Sequence, residues 1–386
     1  MTNKFAMAEP AGPARDKAFH EALDVLRDRR DEFNDQGYVP RDYVEMLKRA
    51  GIYRASTPSV FGGEPMPPHE FLDQIERISA VDPATGWVAS FGSALIYLSA
   101  LPLEVQRELY KDGPDVVFAG ALFPMQDAEP VEGGFRCSGR WQFGSGSAGA
   151  DIFGVGLKAP DDPMGRPRNA IINPEDAEII ENWDVSGMRA TGSNEIKLDD
   201  VFVPEERTFI RGDAPKVDEP LYHYPAVAYA AQVLAVVTLG AARGALDYAR
   251  EVGSLRTSIT GGSRRGARAT YQIGIATAEA QLRAARAWFY EATREVWAMA
   301  EAGDEISEEH LVMLRLATTH AAHEARKVVL SVFDLAGTGA IYRTHPLQRY
   351  LQDSMVPAQH AMLQSGTYEA GGALLMGAPA GIPSFP

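Results

Sequence analysis

Four long Ala-rich stretches in the second half of the chain, Ala226 to Glu251, Tyr271 to Glu301, Glu308 to Gly337 and Leu347 to Leu363, constrain its fold most tightly. Helices of this length pack well side by side, and Ala at many facing positions lets their backbones approach closely, so the stretches predict a four-helix bundle. Upstream, apolar residues recur at helical spacing from Ala18 to Ala50, and Gly51 stands where a helix-ending Gly belongs. A Gly/Pro-rich break at Phe61 to Pro68 precedes helical runs over Glu70 to Ala80 and Trp87 to Leu101, separated by Asp82-Pro83. Between these halves the character changes. Short runs at Phe118 to Leu122, Phe135 to Phe143, Ile152 to Leu157, Ala170 to Ile172, Glu178 to Ile180 and Glu195 to Val203, separated by Gly, Pro, Asp and Asn, predict the strands of a compact β domain. Pro204 stops the last of them, because it cannot donate to a ladder. The fold class expected is α+β: an N-terminal helical domain over 1–115, a middle β domain over 116–215 and a C-terminal helical bundle over 216–386.

Charge narrows the partners. With 37 Lys and Arg against 52 Asp and Glu, the net charge of -15 argues against a broad grip on nucleic acid and favours a small ligand. No stretch approaches 18 consecutive apolar residues, and Met1 to Asp16 lacks the charged-then-apolar pattern of a signal peptide, so no membrane partner and a cytoplasmic location are expected. Cys137 is the one cysteine, which removes any intramolecular disulfide or thiolate metal cluster. His320 and His323, at i and i+3 in an Ala-rich run, read as structural or polar core residues in preference to metal ligands.

Three local patterns carry more specific information. They are Ser138-Gly139-Arg140-Trp141-Gln142-Phe143-Gly144-Ser145-Gly146 followed by Ala150-Asp151; Gly187-Met188-Arg189-Ala190-Thr191-Gly192-Ser193-Asn194 followed by Val201-Phe202-Val203-Pro204; and His345-Pro346-Leu347-Gln348-Arg349 followed by Asp353. Together, over roughly residues 18 to 377, they resemble the acyl-CoA dehydrogenase superfamily, whose fold is an N-terminal helical domain, a middle β-barrel and a C-terminal four-helix bundle. The Trp-x-Phe-x-Ser-Gly and Gly-Met-Arg-x-Thr-Gly-Ser forms, with His360 seven residues past Asp353, are similar to the flavin-dependent hydroxylase branch. That resemblance implies an oxygenase component that takes reduced flavin (FADH2 or FMNH2) from a separate flavin reductase. It would form a C4a-hydroperoxyflavin with O2, oxygenate an aromatic, polycyclic or indole-like small molecule, and assemble as a homotetramer.

A flavin ring needs an aromatic or apolar wall and a few hydrogen-bond donors at its polar edge. Trp141, Phe143 and Ser145 alternate at period two, which would put them on one face of a strand, either beside such a ring or simply as a β-core face with a capping serine. Thr191 and Ser193, in a Gly-flanked turn, fit the flavin's pyrimidine edge or ribityl chain, or a turn that satisfies its own backbone. The run Arg256, Arg264, Arg265 and Arg268 is the densest basic stretch; it suits a flavin phosphate, with Arg256 foremost, or ion pairs to a neighbouring subunit. Gln272 matches a flavin-contacting Gln of the family loop, although the family's Phe-Gly pair is missing before it.

The resemblance gives His360 and Ser145 the catalytic roles, His360 as the group that deprotonates substrate or holds the oxygenating proton. Two rival readings stay open. An acyl-CoA dehydrogenase needs a carboxylate base near the end of the bundle, where the matching position is Met362 and the nearest glutamate is Glu369. A non-catalytic oligomeric scaffold would bind no flavin in any redox state. The segment Trp87 to Pro102 lacks the His that many hydroxylases of the branch carry there, leaving Ser93 and Tyr97 as its polar groups.

Overall fold

The structure is a computed structural model that describes residues 12–255 and 264–381. It mixes helices with two sheets. The helices are α1 (Pro13–Gln36), α2 (Arg41–Arg49), α3 (Pro68–Val81), α4 (Pro83–Ser90), α5 (Leu95–Leu98), α6 (Leu103–Leu109), α7 (Pro220–His223), α8 (Ala226–Leu255), α9 (Ala269–Ala302), α10 (Glu308–Ala336), α11 (Pro346–Ser354) and α12 (Gly366–Leu375). The strands are β1 (Phe118–Gln126), β2 (Ala128–Val131), β3 (Gly134–Gly144), β4 (Ile152–Leu157), β5 (Arg168–Ile172), β6 (Glu178–Ile180), β7 (Asn194–Pro204) and β8 (Thr208–Ile210).

Contacts divide the chain into two compact units. The first joins the described residues up to Pro67 with Val88–Asp184 and Arg189–Val227. The second comprises Pro68–Trp87, Val185–Met188 and the described residues from Ala228 on.

In the first unit the strands form two four-stranded sheets, in the orders β1-β4-β5-β8 and β2-β3-β7-β6. Only β1 and β4 run parallel; the other pairs are antiparallel. The β-barrel expected from the sequence is therefore corrected: no ladder among the described residues joins the two sheets, and no barrel closes. A shared apolar core packs them face to face instead, with Cys137, Trp141 and Ile196 from one sheet meeting Phe153, Val155 and Ile172 from the other. The Trp141 indole N–H donates to Gly156 O at 2.7 Å, a bond that bridges the sheets inside that core.

The helices of the second unit meet through small residues and buried polar links. Ala317, Ala321 and Ala325 on α10 are fully buried at i, i+4 spacing. Gln232 donates to Thr293 Oγ1 at 2.7 Å between α8 and α9, and Gln281 donates to Glu324 at 2.6 Å between α9 and α10. Arg286 of α9 pairs with Glu76 of α3 at 2.7 Å. Ala226–Gly253 is long and apolar enough to cross a membrane by composition, but 78% of its most apolar window is buried inside the protein, as in a core helix.

Two expected helices are interrupted. Leu347 to Leu363 is not one helix: α11 ends at Ser354, and Pro357, which has no N–H to donate, opens a 3-10 turn at Pro357–Gln359. The run Trp87 to Leu101 narrows to 3-10 geometry at Phe91–Ala94, where a Cβ on Gly92 would stand 2.5 Å from Ile52 O. Trp141→Phe removes the donor to Gly156 and leaves a small void. We expect it to destabilise the protein by about 2–4 kcal/mol in urea unfolding, and an unchanged midpoint would contradict this account of the inter-sheet core.

Candidate active site

Antiparallel register builds the hydroxyl part of the site. Gly144 of β3 pairs with Asn194 of β7, so the chains leaving that pair carry Ser145 opposite Ser193. Gly146, at φ 75, turns β3 away and donates its N–H to Thr191 O at 2.8 Å. Gly192, at φ 53, packs against Tyr38, where a Cβ would stand 3.0 Å from the Tyr38 Cβ. Three buried hydroxyls then line up: Thr191 Oγ1 lies 2.6 Å from Ser193 Oγ, which lies 2.7 Å from Ser145 Oγ. The turn after Ser145 is anchored by Asp151, which binds Arg41 at 2.7 Å, Lys48 at 3.0 Å and the Val117 N–H at 2.9 Å. Burial opposes ionisation of Asp151, yet these donors outweigh it and hold the carboxyl below its usual range.

The aromatic part departs from the alternation read in the sequence. Trp141 pairs with Ile196 and Gly144 with Asn194, so three steps on β3 face two on β7. The extra residue makes a β-bulge in which Phe143 adopts φ 65. Trp141, Phe143 and Ser145 consequently do not share one face: Trp141 is fully buried between the sheets, Phe143 is 60% exposed, and Ser145 is buried in the turn. The exposed Phe143 ring meets the edge of Trp183 at 6.2 Å, a partner that no sequence pattern had marked. An accessible aromatic ring on a strand that ends in a chain of hydroxyls matches the wall and donor set that a flat heteroaromatic with polar edges requires.

In the second unit, two of the three sequence patterns meet each other. The buried Asp353 carboxylate accepts the Met188 N–H at 2.5 Å, holding Met188 at φ 57. A Cβ on Gly187 would fall 2.3 Å from Gln352 O, which explains the glycine. Asp82 caps Thr85 through both N–H and hydroxyl and lies 3.6 Å from Arg349. His360 sits on the exposed turn after Pro357–Gln359, not on a long helix. Its Nδ1 accepts the Met362 N–H at 3.3 Å, and its ring lies 6.2 Å from Trp87. Arg315 donates to Met362 O at 3.2 Å and His323 Nε2 donates to Leu363 O at 2.8 Å, so α10 pins the turn that carries His360. His320 packs against Trp288 at 5.3 Å.

Gln272 lies in a groove of about 670 Å³ lined also by Arg250, Arg264, Tyr271 and Arg283, and donates to Gly266 O at 2.9 Å. Arg256 lies outside the described residues. Met362, at the dehydrogenase base position, carries no carboxylate, and Glu369 is exposed on α12.

Complete burial and the neighbouring Asp82 raise the Asp353 pKa to about 7, against the opposing pull of the Met188 N–H and Arg349. The folded protein thus binds this proton more tightly than the unfolded chain. The resulting stability is fully present below about pH 4 and is lost as pH rises through about 7. We expect the free energy of unfolding to fall by up to about 4 kcal/mol across that window. Asp353→Asn keeps an acceptor for Met188 without the charge and flattens the dependence; equal pH slopes for both proteins in urea unfolding would contradict this.

A family model described as the acyl-CoA dehydrogenase C-terminal domain matches residues 232–365. Over 375 residues the chain is 44% identical to indole-3-acetate monooxygenase of Pseudomonas putida, covering 96% of this chain and 95% of that protein. It is 42% identical over 385 residues to indole-3-acetate monooxygenase of Acinetobacter baumannii, covering 98% of each. The crystal structure of 3-HSA hydroxylase from Rhodococcus sp. RHA1 superposes with a TM-score of 0.87 at 25% identity, covering 96% of this chain and 98% of that one. The chain belongs to the flavin-dependent monooxygenases of the acyl-CoA dehydrogenase superfamily.

Proposed function

We propose that this protein is the oxygenase component of a two-component flavin-dependent monooxygenase, using reduced flavin and O2 to oxygenate an aromatic, indole-like small molecule. The observation that carries the reading is full-length likeness, at 44% identity, to an indole-3-acetate monooxygenase. When bound, reduced flavin supplies two electrons, so that one oxygen atom of O2 enters the substrate and the other leaves as water. The chain's own residues bind, orient and move protons.

Ser145, Thr191 and Ser193 offer hydroxyl donors and acceptors to the polar edge of the ring, supported by their burial and mutual hydrogen bonds. Phe143 gives an apolar contact, and Trp141 stiffens the strand from behind through Gly156. Arg256 and Gln272 take the phosphate end of the flavin; Arg250 and Arg264, which line the groove with Gln272 and the Arg283–Glu279 pair, support this. His360, whose Nδ1 accepts the Met362 N–H, is the imidazole that handles the proton of oxygen transfer.

In this reading the chain keeps three parts, 1–115, 116–215 and 216–386, the last a four-helix bundle. It works as a cytoplasmic homotetramer supplied by a separate flavin reductase. The order of helices, strands and helices supports the division, and the small buried Ala residues of α10 support the bundle.

His360→Ala supplied with photoreduced flavin, O2 and an indole substrate is expected to yield roughly 100-fold less oxygenated product per reduced flavin, while its flavin affinity changes little. Equal product yield in variant and wild type would remove His360 from the mechanism.

A further inference from the structure

Among the arginines of the first unit, Arg41, Arg54, Arg166 and Arg168 each hold a carboxylate: Asp151 at 2.7 Å, Asp115 at 2.5 Å, Asp162 at 2.7 Å and Asp161 at 3.2 Å. In a chain with 52 acidic side chains this is the ordinary outcome. Arg211 holds no carboxylate among the described residues, as half-buried Arg207 holds none, but it sits over an aromatic ring. Its guanidinium lies 5.0 Å over the Tyr97 ring and donates one N–H to the Tyr97 hydroxyl at 3.3 Å, and among the described residues it makes no ion pair. Its sequence neighbour Asp213 is turned away, accepting the Ile210 N–H and lying 3.6 Å from Arg166.

Both members of the pair are held in place. The Arg211 backbone N–H donates to Pro167 O at 3.0 Å, and the Tyr97 hydroxyl donates to Ala226 O at 2.8 Å. The Tyr97 ring packs on an apolar cluster that includes Leu98, Tyr110 and Phe118. A guanidinium has five N–H donors in a planar fork that fits a carboxylate with two bonds. One of the five is committed here, to the Tyr97 hydroxyl.

The pair is also connected to the hydroxyl turn. A Cβ on Gly146 would meet Val88 Cγ1 at 3.2 Å, so the segment that starts beside Ser145 and Gly146 reaches Tyr97 nine residues later. Half-buried Phe91 lies along it.

We propose that Arg211, braced by Tyr97, is the subsite for the carboxylate of an aromatic acid substrate. This deepens, and rests on, the oxygenase reading above. Lysine at this position keeps the charge but loses the fork.

The test is calorimetric binding of indole-3-acetate, with indole as the neutral comparison, to wild type, Arg211→Gln and Arg211→Lys without flavin, beside product analysis with reduced flavin. A charged hydrogen-bonded contact of this kind corresponds to roughly 10- to 100-fold in affinity. The expected result is that loss for the acid in Arg211→Gln, partial recovery in Arg211→Lys, and less than about threefold change for indole. Equal acid affinity in all three proteins, a parallel loss for indole, or no binding of the acid to wild type would overturn the subsite. If the acid binds through Arg211 but wild type with reduced flavin and O2 oxygenates neither compound, the subsite stands and the oxygenase reading falls.

Discussion

Two hydrogen bonds among three buried hydroxyls, Thr191 to Ser193 to Ser145, tie the end of β3 to the start of β7, and the candidate flavin contacts of the first unit are organised around them. Hydroxyls can be buried only when their donors and acceptors are met, so the cluster fixes where its backbone segments stand. The constraint travels outward through Gly146 and Gly192, whose left-handed turns let the segments approach, and through Asp151, which anchors the following turn with two cations and a backbone N–H. Asp151 thereby connects α2 to the hydroxyl turn.

Much of this was legible in the residues, for identifiable reasons. Pro204 marked the end of β7 because a residue without an N–H cannot extend a ladder, and the strand stops there. The Ala-rich runs announced α8, α9 and α10 because their burial depends on small side chains repeating at helical period. Side-chain periodicity failed where backbone geometry departs from regularity. Nothing in Trp141-Gln142-Phe143 announces a bulge, since a non-glycine residue with positive φ carries no compositional mark, and one inserted residue sends Phe143 out while Trp141 stays in. Pro357 was visible, but apolar periodicity on both sides of it read as a single helix. The barrel failed on pairing: strand segments can be found from composition, whereas the choice between closing a sheet and stacking two depends on partners distant in sequence.

The motifs proved to be partly about each other. Gly187-Met188 and Asp353 are 165 residues apart, yet one hydrogen bond joins them and the backbone of α11 sets the size limit at Gly187. A short pattern of this kind reads as a functional signature when it is also a packing contact, and the two roles separate only when partners are known. His360 illustrates the other side: its ring is exposed, while the turn beneath it is pinned by Arg315 and His323 of α10. An exposed imidazole on a pinned turn suits a group that must exchange protons from a fixed position.

The central claim is that this chain directs an oxygen atom from O2 into an aromatic substrate. It is tested most directly by isotope labelling, in which the protein with stoichiometric reduced flavin and an indole substrate is mixed with 18O2 and the product is weighed by mass spectrometry. The account predicts one 18O atom per molecule of product. Product carrying oxygen only from water, or unchanged substrate beside labelled hydrogen peroxide, would contradict it.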